Sequence, residues 1–327
     1  MRISGITYTQ RKRRMPKKFI ISVILILLLA ALVISAISVY TAWDLTRPEK
    51  LDLPVFSANI VPEYDSVSFK DINDELTLRG WFFDAPESNS TVILAHGYGQ
   101  NRLPFGENTI ELIKSFLNEG YNLLTFDFRN SGESEGKITS VGYLEKYDLL
   151  GAIEYAKRRG SDEIILFGVS MGASTSILAA AESQDVDAVI ADSPFSDLTM
   201  YLNENLSVWS NLPSIPFDKT TLLAVKLVSG VDTNDVSPVD DIDKISPRPV
   251  LLIHSTDDET IPAKHSRLLK DASDSTVELW ETSGASHIKT YEEYPYEYIK
   301  RIFDFLKINE EESEEESEEA STTSSDQ

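Results

Sequence analysis

The hydrophobic pattern divides the chain into one long uncharged run and, after it, short apolar runs separated by helical stripes. The first, residues 19–40, is 22 residues rich in Ile, Leu and Val. A helix of that length, rising about 1.5 Å per residue, spans the roughly 30 Å hydrocarbon core of a bilayer. Further on, 67–70 and 76–83 alternate as a hairpin turning near Asp71–Asp74. Residues 91–95 read as a central strand ending in His96-Gly97-Tyr98-Gly99. Ile110, Ile113, Phe116 and Leu117 form a helical stripe closed by Gly120. A strand over 121–126 follows, then the loop from Asp127 to Gly136 and a stripe of Leu149, Ala152, Ile153 and Ala156 closed by Gly160. Strands over 164–167, 186–191, 250–254 and 277–281 complete the set, and Tyr294, Tyr298, Ile302 and Phe305 mark a closing helix. Between 195 and 247 the strand signal disappears, and short apolar clusters mix with prolines and acids as in an inserted helical cap. Strands alternating with helices imply a mostly parallel sheet covered on both faces.

The run 164–167 breaks into Gly168-Val169-Ser170-Met171-Gly172 and then into a helical pattern over 173–181. Gly-x-Ser-x-Gly between a strand and a helix is a nucleophile elbow, a turn so tight that the serine hydroxyl is pushed out above the sheet. Side chains at the two glycines would collide with the neighbouring strand and helix. The N-terminus of the following helix favours negative charge beside Ser170.

A serine nucleophile needs a histidine to take its proton and a carboxylate to orient that histidine, and in this architecture the order is serine, acid, histidine. The chain has four histidines. His96 precedes the elbow, His254 lies inside a strand, and His265 follows Ile261-Pro262 on a helical stretch; His287 alone falls in a loop after the last strand. It is the expected base. The acid belongs on the loop after the strand 250–254, where Asp257, Asp258 and Glu259 compete.

Charge and composition narrow the class. The chain has 327 residues, a net charge of −23 and no cysteine, which excludes disulfides, thiolate metal sites and a cysteine nucleophile. Residues 1–18 carry seven Lys/Arg and no acid; 310–327 carry eight Glu, one Asp and no base, and read as a disordered, solvated tail. An acidic body argues against nucleic acid. The cations just before the run 19–40 outweigh those after it, where Arg47 and Lys50 are offset by Asp44 and Glu49. The positive-inside rule then leaves the N-terminus in the cytoplasm and the rest outside, as a single-pass signal anchor. The acids at 232, 235, 240, 241 and 243 lack the spacing of a calcium loop, and neither a phosphate-cradling glycine loop nor a metal-spaced histidine cluster occurs. No metal or other cofactor is expected.

Four stretches carry a resemblance: His96-Gly-Tyr-Gly99, Asp127-Phe-Arg-Asn-Ser-Gly-Glu-Ser134, Gly168-Val-Ser-Met-Gly172 and Leu252-Ile-His-Ser-Thr-Asp-Asp-Glu-Thr-Ile-Pro262. Over most of 67–307 the chain resembles the α/β-hydrolases, in their serine aminopeptidase-like and monoacylglycerol-lipase-like branch. The resemblance implies a sheet of about eight strands and places the acid at Asp258, four residues before Pro262, although Ser255 stands where the family has glycine. It also implies an oxyanion hole from the backbone N–H groups of Tyr98 and Met171, and a structural role for His96. The expected organisation is a basic segment (1–18), a membrane anchor (19–40), a linker (41–65), a hydrolase domain (66–309, cap about 195–247) and the acidic tail (310–327). The expected function is a membrane-anchored extracytoplasmic serine hydrolase acting on an ester, thioester or amide of a small-molecule, lipid or peptide acyl substrate. Acyl transfer on the same residues, or a non-catalytic surface scaffold, are the alternatives.

Overall fold

The computed structural model describes residues 16–57, 60–210, 212–273 and 276–307; most of the basic segment (1–15) and the tail 310–327 lie outside them. A long helix, α1 (Lys17–Leu45), leads into an eight-stranded sheet. Among the described residues it is the one helix long and apolar enough to cross a membrane. The sheet consists of β1 (Asp65–Lys70), β2 (Thr77–Phe83), β3 (Ser90–Ala95), β4 (Asn122–Asp127), β5 (Glu163–Val169), β6 (Ala188–Asp192), β7 (Val250–Ser255) and β8 (Val277–Thr282). Their order across the sheet is β1-β2-β4-β3-β5-β6-β7-β8. The hairpin β1–β2 and the β2–β4 pair are antiparallel, and all the remaining pairs are parallel.

The central strands read as continuous apolar runs because both faces are covered, and the pleat divides each run between two cores. Ile93, Leu124, Leu166, Val189 and Leu252 point to one core, shared with α3 (Glu145–Arg158) and α4 (Met171–Glu182). Their neighbours Leu94, Leu123, Phe167, Ile190 and Ile253 point to the other, shared with α2 (Asn108–Asn118) and the helical residues 295–307. The closing helix starts after Tyr294, whose hydroxyl instead donates to the Ser283 carbonyl.

Two cap helices, α5 (Leu198–Ser210) and α6 (Ser214–Ser229), stand beyond the sheet's carboxyl edge with a small core of their own around Phe195, Leu198 and Tyr201. The chain then returns through the short helix α7 (Pro238–Asp241). After it, Ile242 and Ile245 join the main core beneath β6 and β7. Helix α8 (Lys264–Asp271) and the short α9 (Thr290–Glu293) flank the last strands.

Strand order reverses at β3, which pairs with β4 on one side and β5 on the other. Connections diverge to opposite faces there, and a crevice opens at the carboxyl ends of the strands. The loops after β3 and β5 meet in it.

Candidate active site

Ser170 sits between β5 and α4 with φ 56° and ψ −118°, a backbone conformation that costs a side-chain-bearing residue about 1–3 kcal/mol. The surroundings impose it. A Cβ on Gly168 would lie 2.2 Å from the Gly172 carbonyl oxygen, and one on Gly172 would lie 2.2 Å from the Ala95 carbonyl oxygen. Strand and helix therefore approach as closely as the sequence pattern requires, and the Ser170 N–H is held by the Asp192 carbonyl at 2.8 Å. Gly172→Ala puts a methyl group against backbone that cannot yield. It is expected to cost about 3 kcal/mol or more, or about 6–12 °C in the thermal midpoint of the detergent-solubilised full chain.

His287 reaches the serine from the loop after β8. Its Nε2 lies 2.9 Å from Ser170 Oγ and its Nδ1 lies 2.6 Å from Asp258 Oδ2. A carboxylate only accepts, so Nδ1 carries the imidazole proton and Nε2 is left to accept from the serine hydroxyl. Asp258 lies 4% exposed on the turn after β7, with Oδ1 accepting from the Thr260 and Ile261 amides, each at 2.9 Å. Burial works to raise its pKa, but His254, His287 and the Ile261 amide together hold the carboxyl well below the usual carboxylate range. The adjacent Asp257 points the other way: exposed, it accepts from the Gly284 amide at 2.6 Å and braces the histidine loop. Glu259 is exposed.

The other histidines are locked in internal bonds. His96 donates from Nδ1 to the Gly97 carbonyl (2.7 Å) and accepts at Nε2 from the Phe128 amide (3.0 Å), with its pKa lowered chiefly by burial. His265 accepts at Nδ1 from Ser196, and burial pushes its pKa down to about 4. His254 has a role that its place inside a strand conceals. Its Nδ1 faces Ser266 Oγ at 2.7 Å; its Nε2–H goes to the Ile261 carbonyl at 2.7 Å, and Asp258 Oδ2 is 3.5 Å away. With its one proton given to Ile261, His254 offers Asp258 a favourable dipole and fixes the turn that carries it.

The loop after β3 closes the crevice. A Cβ on Gly97 would lie 3.3 Å from Ser170 Cβ. Tyr98 and Met171 line the same pocket as Ser170. The motif after β4 is scaffolding for this loop: buried Asp127 accepts from Arg102 through both backbone (2.7 Å) and guanidinium, while Arg129 forms a forked pair with buried Asp148. The pocket is about 770 Å³, open water at its mouth included, and almost wholly apolar, with Phe195, Leu202, Trp209 and Val225 from the cap around it. Two lining residues, Leu45 and Thr46, come from the end of α1, and the Tyr98 hydroxyl donates to the Leu45 carbonyl at 2.8 Å. Burial pushes the Tyr98 hydroxyl up to about 12, so it remains a neutral donor. Among the described residues, no group of three or more His, Asp or Glu side chains stands together as a metal site.

Comparison with known proteins agrees with this architecture. Residues 90–231 match the model of the alpha/beta hydrolase fold. The uncharacterized protein YqkD of Bacillus subtilis is 33% identical over 233 residues, which cover 70% of this chain and 75% of that protein. The chain belongs to the α/β-hydrolase family. As an α/β-hydrolase it also superposes on the Pyrococcus furiosus esterase Pf2001 with a TM-score of 0.65 and 28% identity, over 81% of this chain and 98% of the esterase. A third relative is the mouse lysophosphatidylserine lipase ABHD12, 26% identical over 193 residues, 56% of this chain and 45% of the lipase. Esterases and lipases among its relatives support a hydrolase activity for this α/β-hydrolase.

Proposed function

We propose that the protein is a membrane-anchored serine hydrolase that cleaves carboxylic esters with an apolar acyl group, through Ser170, His287 and Asp258. The observation that carries this reading is the continuous hydrogen-bonded line from Ser170 Oγ through His287 to buried Asp258, on an elbow strained into shape. His287 Nε2 removes the hydroxyl proton as Ser170 Oγ attacks the ester carbonyl. The N–H groups of Tyr98 and Met171 stabilise the oxyanion, and His287 returns the proton to the departing alkoxide. Asp258 stabilises the imidazolium throughout. Water, activated by the same histidine, then releases the acid from the acyl-serine. An ester with an apolar acyl group is favoured by the pocket's composition and by the relatives, a lipase and an esterase.

Residues 19–40 serve as the single membrane anchor, with the basic segment 1–18 in the cytoplasm and the hydrolase domain 66–309, its cap within 195–247, outside. The apolar outer surface of α1 and the distribution of cations around it support this topology.

A fluorophosphonate probe applied to the detergent-solubilised full chain tests the nucleophile. A single adduct on the peptide containing Ser170, absent after Ser170→Ala, is the expected result. An intact, folded sample that takes no adduct and turns over no p-nitrophenyl ester would overturn the reading.

A further inference from the structure

We infer that cap helix α6 is a second membrane contact, lying in the lipid interface beside the exit of α1 and setting the mouth of the Ser170 pocket at that surface. The inference rests on the anchor reading above and adds to it where the catalytic domain sits. Along α1, residues Ile34, Ile37, Ser38, Thr41, Ala42 and Leu45 are buried or half-buried, an i, i+3, i+4 series that forms one face. That face packs on α6, with Ser38 Oγ 2.7 Å from Thr220 Oγ1. Ser38 lies two residues before the uncharged run ends at Tyr40, about 3 Å along the axis, and Ile34 lies about 9 Å before it. A helix packed at that level cannot stand clear of a bilayer that 19–40 crosses. Tyr40 and Trp43, 72% and 54% exposed, mark the same boundary, with the Arg47 guanidinium 3.5 Å over the Trp43 ring. Aromatic rings and cations of this kind collect where hydrocarbon meets water.

The surface of α6 fits that position. Leu222, Val225 and Ser229 face the pocket, whereas Leu223 and Leu227, 62% and 76% exposed, face outward on the side that also carries Lys219 and Lys226. Ile215 at its start is 89% exposed. A helix apolar on two sides needs a second apolar surface, and here the pocket covers only one of them. Lys219 can extend its head to lipid phosphates while its stem lies on hydrocarbon, whereas Lys226 is paired with Asp232. The continuity of this surface with the anchor selects the bilayer as its occupant. An ester with an apolar chain then passes from the leaflet to Ser170 between α6 and the end of α1, whose Leu45 and Thr46 are part of the pocket wall.

The chain has no cysteine, so single substitutions label uniquely. Full-length Leu227→Cys, Leu28→Cys and Glu154→Cys would each carry a nitroxide in phosphatidylcholine–phosphatidylglycerol vesicles, with relaxation by oxygen and by a water-soluble nickel chelate as readouts. The label at 227 is expected to show an oxygen-to-nickel ratio below that at 28, near the middle of the anchor, and several-fold above that at exposed 154. Lipid exposure at 28 with water exposure at 227 would overturn the inference and leave the anchor standing. Water exposure at both would overturn both, and spin–spin broadening at 227 would assign the face to a second copy instead. In parallel, Leu223→Glu with Leu227→Glu is expected to slow cleavage of a long-chain ester held in vesicles about tenfold, leaving a short soluble ester unaffected. Unchanged cleavage of the vesicle-bound ester would overturn the inference as well.

Discussion

Ser170→Ala is expected to lower ester turnover by the full chain about 10⁶-fold, the scale on which removing a triad serine acts in known serine hydrolases. The loss is this large because the substitution removes the bond-forming atom, while the strained elbow and the pocket survive unchanged. His287→Ala should fall to a similar level, since an unactivated hydroxyl is a poor nucleophile. The double variant should be no worse than either alone, because the two residues act as one unit. What remains would be the effect of binding and of the Tyr98 and Met171 amides, about 10³–10⁴ over water. Steady-state hydrolysis of a p-nitrophenyl ester in detergent measures all three. Activity within tenfold of the parent in either single variant would remove Ser170 and His287 from the mechanism.

The second large effect separates two neighbouring carboxylates. Asp258→Asn is expected to reduce kcat about 10⁴-fold, and Asp257→Asn to change it less than about threefold. Asp258 is buried and accepts the His287 Nδ1 proton at 2.6 Å. An asparagine there can turn its amide N–H toward Nδ1, which drives the imidazole proton to Nε2, where it blocks acceptance from Ser170. Asp257 lies exposed and accepts from the Gly284 amide and the Thr256 hydroxyl, bonds that an asparagine carbonyl can keep. Comparing kcat for the two variants under identical conditions decides the matter. Equal losses, or a larger loss at 257, would show that the acid has been assigned to the wrong residue.

Sequence alone was enough for whatever depends on local chemistry. The two glycines of the elbow, the apolar runs of β3 to β7 and the stripes of α2 and α3 follow from backbone sterics and from the need to bury both faces of a parallel sheet. That α1 runs unbroken through 19–40 follows from a sequence there without charge, proline or glycine. His287 was expected from chain order, because three of the four histidines lay in the wrong kind of segment. Ser170 and His287 are 117 residues apart, so their 2.9 Å contact is a product of the sheet, which aligns the loops after β5 and β8 along one edge.

Residue chemistry alone left Asp257, Asp258 and Glu259 competing, the family resemblance pointed to Asp258, and the tertiary structure puts Asp258 rather than Asp257 against His287. Consecutive residues on a turn differ in direction, and spacing cannot say which one faces inward. The same holds for His254, whose strand position concealed its place beside Asp258, and for Asp127 and Arg129, whose partners Arg102 and Asp148 lie on other elements. The cap was legible as an interruption of the strand pattern, but its packing was not. That Ile242 and Ile245 return to the main core, and that the end of α1 walls the pocket, depends on contacts between segments far apart in the chain. Periodicity reports which face of an element is apolar. What covers that face is decided by the packing of the whole chain, and in this protein one such covering joins helix α1 to the pocket of Ser170.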